Sequence, residues 1–259
     1  MENTLHTGDL IIIDKTLYNG TLARLFSKLK AVGNPELNDI LVFKIADSDS
    51  TFYVKRCLCT PGKSIMMKAG KVYVDHKLIN EQDSALHLYK FWYNNYSQIV
   101  NRIIKANIDP IVSEFRRSKK FVILKLTAIE KNEIMGSPSI DSVTIVGTNK
   151  ITNDILSDQL SDEKIIQDFD YITLPTVGMK IKLNSKTIAS YRNILRREEK
   201  ILIRKKNNMY FVDGKPCDSY VFKNDYYFMM GDNRENSFDS RSFGMISKKS
   251  IEGKVLMKL

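Results

Sequence analysis

Short apolar runs, each ended by a turn signal, dominate both ends of the chain and predict a strand-rich fold. At the amino-terminal end the pattern predicts strands over Leu10 to Lys15, Ile40 to Ile45 and Thr51 to Cys59, then a hairpin from Lys71 to Ile79. At the carboxy-terminal end it predicts strands over Met179 to Leu183, Tyr226 to Met230, Ser242 to Ile246 and Gly253 to Leu256. It also predicts a hairpin from Met209 to Pro216 around Asp213-Gly214. The two hairpins echo each other, both carrying Val-Asp before the turn, which is hairpin grammar. Two helices interrupt the strands. Leu22, Leu25, Phe26 and Leu29 share one face of Thr21 to Ala31, with Lys28 and Lys30 beside them. Ile188, Tyr191, Ile194 and Leu195 share one face of Ser185 to Lys200.

The texture changes between Ser84 and Tyr171. Leu86, Leu88, Tyr89, Phe91, Trp92, Tyr96, Ile99, Val100, Ile103 and Ile104 recur at helical spacing until Asp109-Pro110 interrupts them. Strand-like Lys120 to Ala128 and Ser142 to Gly147 follow, then a helix from Ser161 to Phe169 opened by the capping pattern Ser161-Asp162-Glu163-Lys164. The fold class expected is therefore mainly β. Residues 1–83 and 172–259 are expected to form a discontinuous β core, and residues 84–171 a long inserted α+β domain whose aromatic stripe is its own core.

Composition excludes several classes. At 259 residues, 43% hydrophobic and 27% charged, the chain can bury an ample core. No apolar run approaches the 18 or so residues of a spanning helix, and there is no amino-terminal signal pattern. The net charge of +10 admits either nucleic acid or anionic lipid. The basic clusters are scattered and not interleaved with stacking aromatics, so no nucleic-acid partner is expected. Cys57 and Cys59 share a strand face and read as small core residues, with a disulfide to Cys217 left open. His6, His76 and His87 lack ligand spacing, so neither a metal nor another cofactor is expected.

Two segments carry candidate chemistry. Gly231-Asp232-Asn233-Arg234-Glu235-Asn236-Ser237-Phe238-Asp239-Ser240-Arg241 puts turn formers, hydroxyls and paired charges directly after the apolar strand Tyr226 to Met230. Such groups are costly to desolvate unless they satisfy one another, so they read as a mutually bonded wall facing a cleft. The plain alternative is a long solvated hairpin loop. In Phe52-Tyr53-Val54-Lys55-Arg56-Cys57, strand alternation puts Lys55 on one face with Tyr53 and Cys57, away from Val54 and Arg56. An amine on that face loses water, its pKa falls, and it becomes able to act as a general base.

These residues, Tyr53-Val54-Lys55-Arg56 with Pro61-Gly62 and Gly231-Asp232-Asn233-Arg234 with Ser237, Asp239, Ser240 and Arg241, resemble the bacterial type I signal peptidase family. Two further blocks agree in order. Asn38-Asp39-Ile40-Leu41-Val42-Phe43 is similar to that family's Gly-Asp-apolar strand, with Asn38 in place of glycine. Met1 to Leu5 is similar to the tail of its Ser-Met-x-Pro-Thr-Leu motif, with Asn3 in place of proline. The resemblance covers about residues 1 to 80 and 175 to 255, and four blocks in order make it specific.

The resemblance implies a signal-peptidase-like β-sheet core and a Ser-Lys endopeptidase. Such an enzyme removes signal peptides from exported preproteins at the outer, periplasmic face of the bacterial cytoplasmic membrane. Lys55 would be the general base and Ser237 the hydroxyl that orients it. Asp232, Arg234, Asp239, Ser240 and Arg241 would support the site, with Asp239 and Arg241 an ion pair and Asp232 close to it. Met1, Leu5 and Tyr53 are the substrate-binding candidates, with Ile12 beside them. Signal peptides and the membrane are the expected partners, the membrane reached through an upstream helix. In the family the catalytic serine immediately precedes the methionine that Met1 matches. The sequence given is therefore expected to be the catalytic domain cut off from its serine and helix, and inactive as such. The alternative is an inactive homologue that binds exported chains or a partner. A self-cleaving repressor of the related Ser-Lys fold predicts a DNA-binding helix-turn-helix ahead of the core, and none is present.

Overall fold

The computed structural model describes residues 4–15, 34–45, 51–108, 114–116, 120–146, 168–207, 209–234 and 236–259. Its elements are mostly strands. In chain order the amino-terminal part contains β1 (Ile11–Asp14), β2 (Ile40–Lys44), β3 (Phe52–Cys59), β4 (Ser64–Lys68), β5 (Lys71–Val74) and β6 (Lys77–Leu78). The middle part contains β7 (His87–Tyr93), α1 (Tyr96–Lys105), β8 (Glu114–Arg116), β9 (Phe121–Leu126), α2 (Ala128–Met135) and β10 (Ile140–Ile145). The chain continues through β11 (Phe169–Thr173), β12 (Lys180–Lys182), α3 (Ser185–Asn193) with a π-helical turn (Ile194–Glu198), β13 (Ile203–Lys206), β14 (Met209–Val212), β15 (Lys215–Pro216) and β16 (Ser219–Val221). It ends with β17 (Tyr226–Met230), a one-turn helix α4 (Ser240–Phe243), β18 (Ile246–Ser247) and β19 (Ile251–Lys258).

A six-stranded antiparallel sheet in the order β1-β19-β2-β3-β17-β18 joins the first and last thirds of the chain. One face buries Leu41, Phe43, Cys57, Tyr227, Met229, Phe243, Ile246 and Ile251, with Tyr53 packed against them. The other meets a larger cluster around Leu58, Ile65, Leu174, Leu195, Phe222, Tyr226, Phe228 and Met230. Burying each of these large side chains stabilises the fold by about 1.5–3 kcal/mol relative to exposing it. β17 serves both clusters, which is why Tyr226 to Met230 is buried along its whole length.

The two hairpins match in detail. Asp75 and His76 sit at φ 48° and 65°, Asp213 and Gly214 at 49° and 82°, the left-handed pairs that a two-residue turn requires. In each hairpin the aspartate also accepts a backbone N–H from eleven residues upstream, Ser64 for Asp75 and Leu202 for Asp213, both at 2.9 Å.

The middle segment differs from the sequence expectation. Leu86 to Ile104 is not one helix: residues 87–93 form the central strand of a four-stranded sheet in the order β10-β7-β9-β8, and the helix begins only at Tyr96. The break is Asn95, whose side chain accepts from the Gln98 N–H and caps α1. β7 carries apolar side chains on both faces, buried Tyr89, Phe91 and Tyr93 on one and Leu88 with the 37% exposed Trp92 on the other, which blurs the sequence alternation of a half-buried strand. The second miss is α2. Thr127 and Glu130 form a capping box that opens a helix where the expected strand was to run on to Ala128. The sheet and both helices enclose their own cluster of Tyr89, Phe91, Ile99, Val122, Leu124 and Ile134. Ser242 and Phe243, read as strand, belong to or adjoin the turn of α4. Phe169 belongs to β11, not to a helix, and the helices expected over 21–31 and 161–167 lie outside the described residues.

The turn before β2 explains one departure from the family motif. Asn38 has φ 73°, a left-handed conformation that asparagine adopts more readily than other side chains. Its carbonyl also accepts from Arg56 at 3.0 Å. Asn38→Gly is expected to leave stability within about 1 kcal/mol of the parent, and Asn38→Val to lower it by about 1–2 kcal/mol, as read by urea denaturation.

Candidate active site

The site forms where β3 and β17 run side by side. Met230 pairs with Arg56, so Gly231, one step on, lies across from Lys55. A Cβ on Gly231 would overlap the Ser237 hydroxyl outright and stand 3.5 Å from Lys55 Cδ. Glycine is therefore required here for close approach rather than for backbone freedom. Its missing side chain lets Ser237 fold back over the stem of Lys55.

Lys55 is mostly buried, and loss of water pushes its pKa below the ordinary lysine value. Asp239 and Asp232 pull it back up at a distance, and Arg241 opposes them. The desolvating surroundings are those that alternation predicted: Cys57 is fully buried and Tyr53 packs against Phe43, Phe238 and Phe243 at centroid separations of 6.0–6.2 Å. Leu41, the cross-strand partner of Lys55, is also fully buried.

The 231–241 segment is no solvated loop. Asp232, Asn233, Arg234, Ser237, Asp239, Ser240 and Arg241 are all at most 4% exposed. Asp239 accepts from Arg241 Nε (2.9 Å), Arg241 Nη2 (2.8 Å), Arg241 N (3.1 Å) and Gly231 N (3.1 Å). Burial would raise its carboxyl, but the Arg241 guanidinium and these donors hold it below the usual range. Arg241 also donates to the Arg234 carbonyl at 2.5 Å, and the Met229 N–H donates to Ser240 Oγ at 2.9 Å. Ser237 Oγ makes no well-aligned hydrogen bond among the described residues, though it lies near enough to help hold Asp239 charged.

The structure gives Asp232 a partner that the sequence did not suggest. Asp232 does not join the Asp239–Arg241 pair but takes its own arginine, accepting from Arg56 Nε at 2.9 Å and Nη2 at 2.7 Å. Strand alternation turns Arg56 away from Lys55, so the two neighbours reach the loop on opposite sides. Burial would raise the Asp232 carboxyl, and Arg56 with the Thr4 hydroxyl, 2.5 Å away, holds it down instead. Thr4 thus fastens the start of the described chain to the loop. Arg234 donates to Glu81 at 3.0 Å and to the Gly231 carbonyl at 3.1 Å.

Of the substrate-binding candidates, Tyr53 stands beside the lysine in the aromatic group and Leu5 is half-buried next to Thr4. Ile12 is 41% exposed on β1, and Met1 lies outside the described residues. A cleft of about 580 Å³ lies behind the loop, lined by Phe169, Lys186, Arg192, Ser240, Arg241 and Met245 among others, but not by Lys55 or Ser237. All three cysteines are free; burial pushes the Cys57 thiol up and the Cys59 thiol up to about 12, so neither is reactive near neutral pH.

Sequence reasoning gave Arg56 no role and missed Thr4, Glu81 and Glu199. Glu199 ends the π-helical turn and accepts from Tyr220 (2.8 Å), Tyr226 (2.7 Å), Asn224 (3.2 Å) and the Lys223 N–H (3.1 Å), bracing the start of β17. A carboxylate between two arginines and a lysine in Arg196-Arg197-Glu198-Glu199-Lys200 reads as solvated, so only its partners reveal it.

The Asp239–Arg241 pair is buried on both sides, so deleting one partner strands a charge. Arg241→Ala is expected to cost about 3–5 kcal/mol of stability, seen as an earlier urea midpoint. A midpoint equal to the parent's would show that the pair does not hold the loop.

The chain is similar to known proteins. The model of the signal peptidase, peptidase S26, family matches residues 1–116 and 171–259. The chain is 27% identical to signal peptidase I of Buchnera aphidicola subsp. Acyrthosiphon pisum over 256 residues, 99% of this chain and 64% of that protein. It is 31% identical to signal peptidase I of Pseudomonas aeruginosa over 83 residues, 32% of this chain and 29% of that one. Against signal peptidase I of Aquifex aeolicus it is 49% identical over 41 residues, 16% of each. It thus spans just under two thirds of the Buchnera relative. The crystal structure of a signal peptidase I from Enterococcus faecalis aligns over 87% of this chain and 98% of that chain, with a TM-score of 0.33 and 15% identity. With well over half of the chain matched and the Lys55, Ser237 and Arg241 motifs inside the matched segments, the chain belongs to the signal peptidase, peptidase S26, family.

Proposed function

We propose that this chain is the catalytic part of a signal peptidase, a serine endopeptidase that cleaves amino-terminal signal peptides from exported preproteins. The observation that carries the reading is the partly desolvated Lys55 beneath Ser237 and across from Gly231. A lysine whose neutral form is favoured can take the proton of an attacking hydroxyl and pass it to the leaving amine. The nucleophile is the serine that the family places immediately before the methionine matched by Met1. Ser237, whose buried hydroxyl has no hydrogen-bond partner among the described residues, is the group assigned to orient the amine, while Asp239 with Arg241 and Asp232 with Arg56 keep the wall behind it from moving. No metal or cofactor enters these steps.

The signal peptide lies extended against a strand edge near Tyr53 and Leu5, small side chains filling shallow pockets. The middle segment, residues 84–171, serves as a separate α+β insertion with its own core. Among the described residues no helix is long and apolar enough to cross a membrane. Contact with the bilayer is supported instead by the sheet edge. Ile12 pairs with Met257, and Leu259 N–H donates to the Leu10 carbonyl at 2.8 Å. Leu10, Ile12, Met257 and Leu259 are 41–70% exposed there and form an apolar patch.

The test is preprotein cleavage by the product of the full gene. Lys55→Ala is expected to abolish cleavage, and Ser237→Ala to lower kcat by about tenfold or more with the thermal transition unchanged. Undiminished cleavage by Lys55→Ala would overturn the base assignment. No cleavage by the parent, together with retained binding of signal peptides, would favour the inactive-homologue reading.

A further inference from the structure

We propose that Glu81 is a positioning residue for the Lys55–Ser237 site, acting through Arg234. The inference rests on the function proposed for that site. Glu81 follows the β5–β6 hairpin and is far in sequence from both motif blocks, yet the segment it opens runs alongside the loop. The Leu86 N–H donates to the Asp232 carbonyl at 2.8 Å, and the Arg234 N–H donates to the Leu86 carbonyl at 3.1 Å. These two bonds align residues 81–87 with residues 232–234.

Within that alignment the Glu81 carboxylate has a defined task. One oxygen accepts from Arg234 Nε at 3.0 Å; the other meets His87 Nε2 at 2.5 Å. Arg234 is 2% exposed, so without Glu81 its guanidinium would be a buried cation without this carboxylate. With Glu81 in place, Arg234 Nη1 points at the Gly231 carbonyl, 3.1 Å away. Gly231 is the residue on which the Ser237 hydroxyl and the Lys55 stem converge. A shift of its carbonyl therefore moves the surface that sets their separation, and displacements of this kind near a reacting group lower turnover without weakening substrate binding.

The chain of contacts also joins the two parts of the fold. His87 is the first residue of β7 in the middle sheet, so the carboxylate that fixes Arg234 is itself shared with that sheet. Arg234 thus receives its orientation from outside the six-stranded sheet that carries Lys55.

The experiment uses the full gene product with a fluorogenic signal-peptide substrate, with Lys55→Ala as reference, Glu81→Gln and Glu81→Ala as tests and Arg234→Met as background. Glu81→Ala is expected to lower kcat by about tenfold to a hundredfold with KM within about twofold. Glu81→Gln, which keeps an acceptor for Arg234 Nε, is expected to recover a substantial part of that loss. In the Arg234→Met background Glu81→Ala should lower kcat no further, because coupled residues are non-additive. Parental kcat in both Glu81 variants, or equal effects of Glu81→Ala with and without Arg234, would overturn the proposal. Loss of activity only in proportion to unfolded protein, read from the thermal transition of Glu81→Gln, would also overturn it. Cleavage surviving Lys55→Ala would instead overturn the function reading, a result the Glu81 variants do not produce.

Discussion

The site depends on holding one amine on the apolar face of β3. Desolvation penalises the charged form of Lys55, so the protonated lysine weakens the fold at pH values below its lowered pKa, and the cost disappears as pH rises past the ordinary lysine value. The protein accepts this cost next to well-packed residues: Leu41 and Cys57 are fully buried beside it. Gly231 removes the one side chain that would stand between the lysine stem and Ser237. The same cluster that stabilises the sheet thereby makes the lysine a better base, which ties packing directly to chemistry.

Around that amine the charges are sorted into separate pairs. Asp239 takes Arg241, Asp232 takes Arg56, and Glu81 takes Arg234. Each carboxylate is held below its usual pKa range by its donors, so each contributes stability that is complete above the ordinary carboxylate range and lost as pH falls through the lowered value. Separate pairing also keeps negative charge behind the lysine while, among the described residues, no carboxylate is bonded to it. A direct ion pair would hold Lys55 protonated and spoil it as a base.

The β core was legible because its elements are short, bounded by turn residues and alternating. Lys55 was found through that alternation, and the 231–241 wall through the cost of burying so many polar groups together. What escaped has physical causes. β7 carries apolar side chains on both faces, Leu88 and Trp92 opposite Tyr89 and Phe91, so its sequence period is blurred and it merged with the helix behind it until Asn95 is recognised as a cap. α2 was signalled by Thr127 and Glu130, a capping box that the preceding strand pattern masked. Asp232 was read only as lying close to the Asp239–Arg241 pair, because nothing in the sequence points to Arg56, 176 positions away. Glu81 and Glu199 carry no local signal at all, since a single carboxylate becomes informative only when the fold brings donors to it.

The most direct measurement is the Lys55 titration followed by NMR, with the Lys55 side-chain resonances assigned by comparison with Lys55→Ala. The account predicts a pKa clearly below that of the exposed lysines in the same spectrum, with the folded state intact throughout. A Lys55 that titrates together with the exposed lysines, or above them, would contradict the claim that burial on the β3 face prepares this amine to act as a base.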